Sequence, residues 1–249
     1  MASKTGIITG GSRGIGRAIV DRFVNDGWDI LTCSRSTQPS DLNDKVIWEQ
    51  ADVSKPEDAA RIVKKTITTF GGVNLLVNNA GVQIEKNTVN STDDDWDLVI
   101  GANCRGVFNM CRAALPHMTR TGGSIVNIGS ISGSVADPSM ALYNASKAFV
   151  HGLTRSIAVD HGPAVRCNAI CPGWTMTDMA EAGFALASDP QAAAKDALAR
   201  HPVGRFGQPE DIANMVAWLA SDQSSYVSGQ LFTVDGGLTA ASPINSGLF

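Results

Sequence analysis

The chain predicts an α/β architecture: one domain built on a doubly wound, seven-stranded parallel sheet with helices on both faces. Three observations predict it. Short, nearly uninterrupted apolar runs alternate with longer stretches of helical periodicity, and strands covered on both faces require such apolarity. A glycine-rich turn joins the first run to the first helix. No linker, repeat or low-complexity tract divides the 249 residues, a length that suits one large domain.

The elements follow in order. Lys4 to Thr9 is short, β-branched and apolar, and Gly10-Gly11-Ser12-Arg13-Gly14-Ile15-Gly16 comes directly after it. Ile15, Ile19, Val20 and Phe23 then recur at helical spacing. Strands are expected at Trp28 to Ser34 and Val46 to Ala51, a helix at Pro56 to Phe70, and a fourth strand at Val73 to Val77. Trp96 to Met118 reads as one long helix, Ser124 to Ile128 as the fifth strand, and Ala141 to Val159 as a second long helix. Val165 to Cys171 makes the sixth strand, which Pro172-Gly173 ends. A helix at Glu210 to Ala220 and a strand at Leu231 to Val234 complete the set. Strands separated by helices imply right-handed crossovers and parallel pairing. Residues 1–237 form the predicted domain. Within it Thr175 to Arg200, polar and alanine-rich, has no sheet role and suits a substrate lid, while residues 238–249 read as a C-terminal tail.

Bulk properties remove several classes of function. A net charge of −4 gives no electrostatic case for nucleic acid or an anionic membrane. No stretch approaches the ~20 apolar residues of a membrane span. The first strand starts almost at Met1, which leaves no room for a signal peptide. Five cysteines without CxxC spacing suit neither a disulfide framework nor a zinc site, and reduced thiols in a cytoplasmic protein are expected. His117, His151, His161 and His201 are scattered, so no metal site is expected.

A glycine turn between a strand and a helix aims backbone N–H groups and the helix dipole at an anion. Gly10 permits the tight turn, Gly14 lets the backbone approach a pyrophosphate, and Gly16 lets helix and strand pack closely. The end of the second strand selects the dinucleotide, because a carboxylate there would repel a 2′-phosphate. This chain has Ser34 and Arg35 instead, with Arg13 in the glycine loop. Two fork-shaped cations and a hydroxyl suit a phosphate dianion, so NADP(H) is expected over NAD(H). Asp52 would accept from the adenine amino group. Asn78, Ala80 and Gly81 would lie along the adenosine.

Tyr143 and Lys147 stand four apart in the long helix and so share a face. Bringing a phenol from near ~10 to neutrality takes about 4 kcal/mol. One cation at ~4 Å in an effective dielectric of about 20 supplies about that much. Taken alone, Tyr-x-x-x-Lys is more often a packed aromatic beside a solvated lysine; the company of the other motifs overturns that reading.

That company resembles the short-chain dehydrogenase/reductase family. The motifs run in family order: TGGSRGIG from Thr9 to Gly16, Asp52-Val53, NNAG from Asn78 to Gly81, Asn103, Gly129-Ser130, YNASK from Tyr143 to Lys147, PGWTMT from Pro172 to Thr177, and DGG from Asp235 to Gly237. The resemblance implies a Rossmann fold and hydride transfer between nicotinamide and a carbonyl or alcohol carbon. It implies Tyr143 as acid/base, Lys147 lowering its pKa and binding the nicotinamide ribose, Ser130 polarising the substrate carbonyl, and Asn103 binding a relay water. Ser12, Ile15, Val53, Asn79, Pro172, Gly173, Thr175 and Thr177 are the further cofactor contacts it implies.

The substrate would meet Ser130, Ser132, Gln83, Met140 and Trp174, with Ile131, Asp137, Met176 and Met179 nearby. The chain is similar to 3-oxoacyl-carrier-protein reductases, tropinone-type reductases and sugar or polyol dehydrogenases within the family. A NADP(H)-dependent carbonyl reductase is the leading expectation, and an NAD(H)-dependent polyol, sugar or diol dehydrogenase the second. A non-catalytic dinucleotide-binding scaffold is a remote third, because Ser130, Tyr143 and Lys147 are all present. A homotetramer is implied by the family alone.

Overall fold

A computed structural model describes residues 3–241; most of the expected tail at 238–249 lies outside them. Seven strands form one sheet, parallel throughout: β1 (Thr5–Thr9), β2 (Asp29–Ser34), β3 (Ile47–Gln50), β4 (Leu75–Asn78), β5 (Gly123–Ile128), β6 (Val165–Pro172) and β7 (Leu231–Val234). The spatial order is β3-β2-β1-β4-β5-β6-β7. The order therefore reverses between β1 and β4, the point where ligands of open α/β sheets bind beyond the strands' carboxyl ends. This is a single-domain Rossmann fold.

Two cores sandwich the sheet, as the apolar strand runs require. One packs α2 (Pro56–Phe70), α4 (Val107–Thr121) and α5 (Ala141–His161) around Ile7, Leu76 and Ile125. The other packs α1 (Gly14–Asn25) and α8 (Pro209–Leu219) around Ile8, Val77 and Ile170. All five cysteines are free and buried.

The expected continuous helix from Trp96 to Met118 is corrected. It is α3 (Asp93–Ile100), a π-helical segment (Gly101–Gly106), then α4. Gly106 packs so closely on Val53 that an added Cβ would stand 2.6 Å from its Cγ2. Asn103 sits inside the π segment, a bulge type often found at functional sites. The stretch read as a lid holds two helices, α6 (Asp178–Ala185) and α7 (Pro190–Ala199). Its first part carries Thr175, which bridges to Gly207 outside the main sheet.

Candidate functional site

A cleft of about 790 Å³ opens at the carboxyl ends of the strands, within the usual ligand-pocket range. It runs from Arg35 and Asp52, past the glycine turn, to Ser130, Tyr143 and Trp174. Of the residues expected at the site, only Asn103, and of the outlying ones Asn78 and Met176, are not on its wall.

The cofactor end is built from the glycine turn. Gly10 and Gly14 take φ of +73° and +56°, which glycine adopts without strain. A Cβ at Gly16 would stand 2.2 Å from the Gly10 carbonyl oxygen and 2.4 Å from Asn79 Nδ2. That Asn79 amide donates to the carbonyls of Thr9 at 2.9 Å and Gly10 at 3.2 Å, so it braces the turn. The first turn of α1 has neither a side-chain cap nor an acidic residue. Its leading N–H groups are left for an anion, which fits a dinucleotide pyrophosphate.

Around it, Asp52 accepts from the Ser54 N–H and hydroxyl through Oδ1 alone. Ser34 Oγ pairs with Ser36 Oγ at 2.8 Å. Arg13 departs from expectation: its guanidinium meets Asp178 of α6 at 3.0 Å, with both side chains exposed. Asn78 is corrected as well. It is buried and turns into the sheet, donating to Asn127 Oδ1 at 2.8 Å and Cys111 Sγ at 3.2 Å. Met176 is held at its backbone by Gly207 and contributes nothing to the cleft wall.

The catalytic end gathers on α5 and the turn after β5. Tyr143 and Lys147 share a face of α5, and Lys147 is buried. Yet the Lys147 ammonium donates to the Ile128 carbonyl at 2.9 Å and lies 5.4 Å from the Tyr143 ring centroid. In the polypeptide by itself burial outweighs what this cation contributes to the phenol. Desolvation in the cleft pushes Tyr143 up to about 12; the Ser130 hydroxyl opposes the rise and the Asp137 carboxylate adds to it. Burial also brings Lys147 down to about 8, which weakens it as a fixed cation.

Ser130 caps the start of a 3₁₀ turn (Ile131–Gly133). The Ser132 N–H donates to Ser130 Oγ at 3.1 Å. Ser132 Oγ donates to Asp137 Oδ2 at 2.5 Å, and Ser130 Oγ to Ser132 Oγ at 3.0 Å. A carboxylate only accepts, so the single Ser132 proton goes to Asp137, and within this chain the Ser130 proton goes to Ser132. Turned to Tyr143 instead, the same Ser130 proton steadies the phenolate.

Asn103 is buried and clamps the loop after NNAG: Nδ2 donates to the Val82 carbonyl at 2.8 Å and Oδ1 accepts from the Val82 N–H at 2.8 Å. Nδ2 also reaches Ser146 Oγ at 3.0 Å, and Ser146 donates to the Tyr143 carbonyl at 2.8 Å. The π segment is thus tied to the tyrosine's own helical turn. With its amide committed to protein, a relay water at Asn103 would need the main-chain carbonyl rather than the side chain.

Three features escaped the sequence. His151 is buried with Nε2 3.2 Å from Cys171 Sγ, and Gly129 and Gly133, on either side of Ser130, press against its ring. Trp174 stacks on Phe184 at 4.5 Å, and Phe184 meets Phe206 at 5.7 Å, which packs α6 against the cleft wall. The Ser132–Asp137 bond is the third.

A nucleotide-binding Rossmann cleft that presents serine, tyrosine and lysine to one point defines an oxidoreductase acting on CH–OH or C=O groups with NAD(P). The family model described as enoyl-(acyl carrier protein) reductase matches residues 10–239. The 3-oxoacyl-[acyl-carrier-protein] reductase FabG of Thermotoga maritima is 37% identical, over 96% of this chain and 98% of its own. The oxidoreductase UcpA of Escherichia coli is 35% identical over 100% and 99%. The solved structure of Thermoplasma acidophilum aldohexose dehydrogenase (AldT) superposes with a TM-score of 0.92 at 35% identity, covering 98% of this chain and 97% of that one. The chain belongs to the short-chain dehydrogenase/reductase family.

Proposed function

We propose that the protein is a NADP(H)-dependent carbonyl reductase and alcohol dehydrogenase of small substrates, with Tyr143 as acid/base. The observation that carries this reading is the convergence of Ser130, Tyr143 and Lys147 in one cleft with the uncapped start of α1 and with Arg35. The cofactor would be held by Gly10, Ser12, Gly14, Ile15, Gly16, Asp52, Val53, Asn79, Ala80, Gly81, Pro172, Gly173, Thr175 and Thr177, with Arg35, Arg13 and Ser34 facing a 2′-phosphate. When bound it supplies the hydride acceptor or donor.

In reduction, Tyr143 and Ser130 hold the substrate oxygen. As hydride reaches the carbon, the Tyr143 O–H bond breaks and its proton completes the alcohol. Proton transfer of this kind is worth ~10²–10⁴ in rate. Ser130 stabilises the developing oxyanion, after its hydroxyl turns away from Ser132 at a cost of about 0.5–1.5 kcal/mol. Lys147 binds the nicotinamide ribose and Asn103 holds the tyrosine turn. Gln83, Ser132, Met140 and Trp174 wall the substrate, and residues 175–200 close over it.

A second reading, an NAD(H)-dependent polyol, sugar or diol dehydrogenase, is favoured by the Asp137 carboxylate on the cleft wall and by the likeness to the aldohexose dehydrogenase. The chain is read as a cytoplasmic homotetramer; no helix among the described residues is long and apolar enough to cross a membrane. On α4 and α5, Phe108 and Phe149 stay exposed beside Ala148 and the open Gly152, while Val107, Met110, Cys111, Ala114 and Ile157 are core. That exposed face suits a twin helix across a two-fold.

The test is NADPH consumption with a panel of ketones, and NADP⁺ reduction with alcohols. Tyr143→Phe should abolish turnover and keep NADPH binding. No turnover in either direction, or full activity in Tyr143→Phe, would remove the reading.

A further inference from the structure

We infer that Asp137 recognises the substrate, accepting a hydroxyl carried on the carbon next to the reacting one. The inference rests on the proposed hydride transfer at Tyr143 and adds a substrate class to it: α-hydroxy carbonyls and the vicinal diols they form.

Ser130, Ser132 and Asp137 link three oxygens by successive hydrogen bonds of 3.0 and 2.5 Å on the wall that also holds Tyr143. Oxygens on adjacent carbons of a diol stand about a hydrogen-bond length apart as well. A substrate whose reacting oxygen sits between Ser130 and Tyr143 therefore carries a neighbouring oxygen along this series toward Asp137. The series is held in place. The Ser132 N–H fixes Ser130 at 3.1 Å, and Asn144 Nδ2, one residue beyond Tyr143, donates to the Asp137 main-chain carbonyl at 3.0 Å.

The charge balance selects the ligand. Among the described residues no Lys or Arg forms an ion pair with Asp137. Its carboxylate takes one side-chain proton, from Ser132, although an ionised carboxylate has about four lone-pair sites. Among the described residues lining this end of the cleft Lys147 is the single cation, and it is turned to Ile128. A phosphate or carboxylate substrate would meet like charge with no counter-charge. A plain apolar ketone would strip water from Asp137 and return no donor. A hydroxyl that donates to Asp137 can also accept the Ser132 proton once that proton swings from the carboxylate to it, so the carboxylate exchanges one donor for another, whereas an ammonium has no lone pair to offer Ser132.

The test compares 2,3-butanediol with 2-butanol in oxidation, and acetoin with 2-butanone in reduction, using wild type, Asp137→Asn and Asp137→Ala. Wild type should favour the hydroxylated member by at least about tenfold in kcat/KM, because a site that pairs a hydroxyl discriminates against its absence. Asp137→Ala should bring that ratio to near one, mostly through KM. Asp137→Asn keeps an acceptor oxygen and should retain part of it. A ratio unmoved in Asp137→Ala, or a wild type that favours 2-butanol, overturns the inference. So does a wild type that oxidises 3-amino-2-butanol better than the diol, since Asp137 would then serve an ammonium.

Binding separates this from the hydride-transfer reading. Saturation-transfer NMR of the protein with NADP⁺ should show 2,3-butanediol bound to wild type and lost from Asp137→Ala, whether or not turnover occurs. Equal diol signals in both overturn the inference even if the enzyme is active.

Discussion

The Lys147 ammonium lies 5.4 Å from the centroid of the Tyr143 ring and donates its hydrogen bond to the Ile128 carbonyl instead of to the phenol. The polypeptide alone thus holds Tyr143 protonated, up to about 12. A phenol so placed is ready to donate, which is the reductive direction. Acting as a base requires added positive charge nearby, and the oxidised nicotinamide ring carries it. The chain has two tyrosines, so Tyr226→Phe isolates this one. In that background no tyrosinate absorbance should appear up to pH ~10, where a free phenol is half ionised, and NADP⁺ should bring it into that range. A full tyrosinate signal at pH ~10 without dinucleotide would show that Lys147 lowers the phenol by itself.

The two serines predict opposite signs. Ser130→Ala removes the proposed oxyanion donor and should cut ketone reduction by ~10²–10³, the usual cost of one such donor. Ser132→Ala removes the acceptor of the Ser130 proton but keeps the backbone N–H that positions Ser130. Freed from a bond worth about 0.5–1.5 kcal/mol, Ser130 should donate more readily, and 2-butanone reduction should rise about twofold to tenfold. Steady-state kinetics with that ketone decides it. Parallel losses in both variants would mean that the Ser130 proton is not directed to Ser132.

Buried thiols set the alkaline limit of the fold. Burial pushes Cys33 and Cys111 up to about 12 and Cys104 and Cys171 up to about 11, and raises Cys167 as well. Unfolded thiols titrate near ~8.5. Between about pH 9 and the folded values the native state keeps protons that the unfolded chain has released. Stability then falls as pH rises, by ~1.4 kcal/mol per pH unit for each thiol. Lys147, lowered to about 8, has the opposite sign between about pH 8 and ~10.5, where the unfolded chain holds the extra proton. Five thiols outweigh one lysine. Urea midpoints measured at pH 8, 9 and 10 should fall steeply, and Cys111→Ala should flatten the slope between pH 9 and 10 by ~1 kcal/mol per unit. An unchanged slope in that variant would mean that Cys111 is ionised in the native state.

What was legible from residues alone is what short-range rules control. Apolar runs marked the strands because both sheet faces are covered, and the four-residue spacing put Tyr143 and Lys147 on one face. Side-chain direction was not legible. Asn78 and Asn79 are neighbours of identical type, yet one points into the sheet and the other braces the glycine turn. The π segment left no trace in periodicity, because one extra residue per turn preserves an apolar face on either side of it. The expectation that Lys147 acidifies Tyr143 assumed the shortest path between two charges on a helix. The Ile128 carbonyl, supplied by a strand, competes for the ammonium and wins. Pairings such as Ser132 with Asp137 and His151 with Cys171 exist only once the turn after β5 has packed against α5.

Cofactor preference is the last consequence, and it turns on which cation is free. Arg35 borders the cleft at the end of β2, where its own carbonyl is held by Gln50 Nε2 at 2.9 Å. Arg13 is engaged with Asp178 at 3.0 Å, but that pair is exposed, and such pairs are worth about 0–1 kcal/mol. A 2′-phosphate, with more charge than one carboxylate, should draw Arg13 away at little cost. Arg35→Asp should therefore weaken NADPH by about 100-fold, the loss of a charge-assisted bond worth up to ~3 kcal/mol, while NADH changes little. Asp178→Asn should tighten NADPH by up to about fivefold, because it removes the competitor for Arg13. Fluorescence titration of NADPH and NADH into wild type and the two variants measures these affinities. Equal loss of NADPH and NADH in Arg35→Asp would place the phosphate elsewhere and return the choice to NAD(H), whose ribose diol needs no guanidinium.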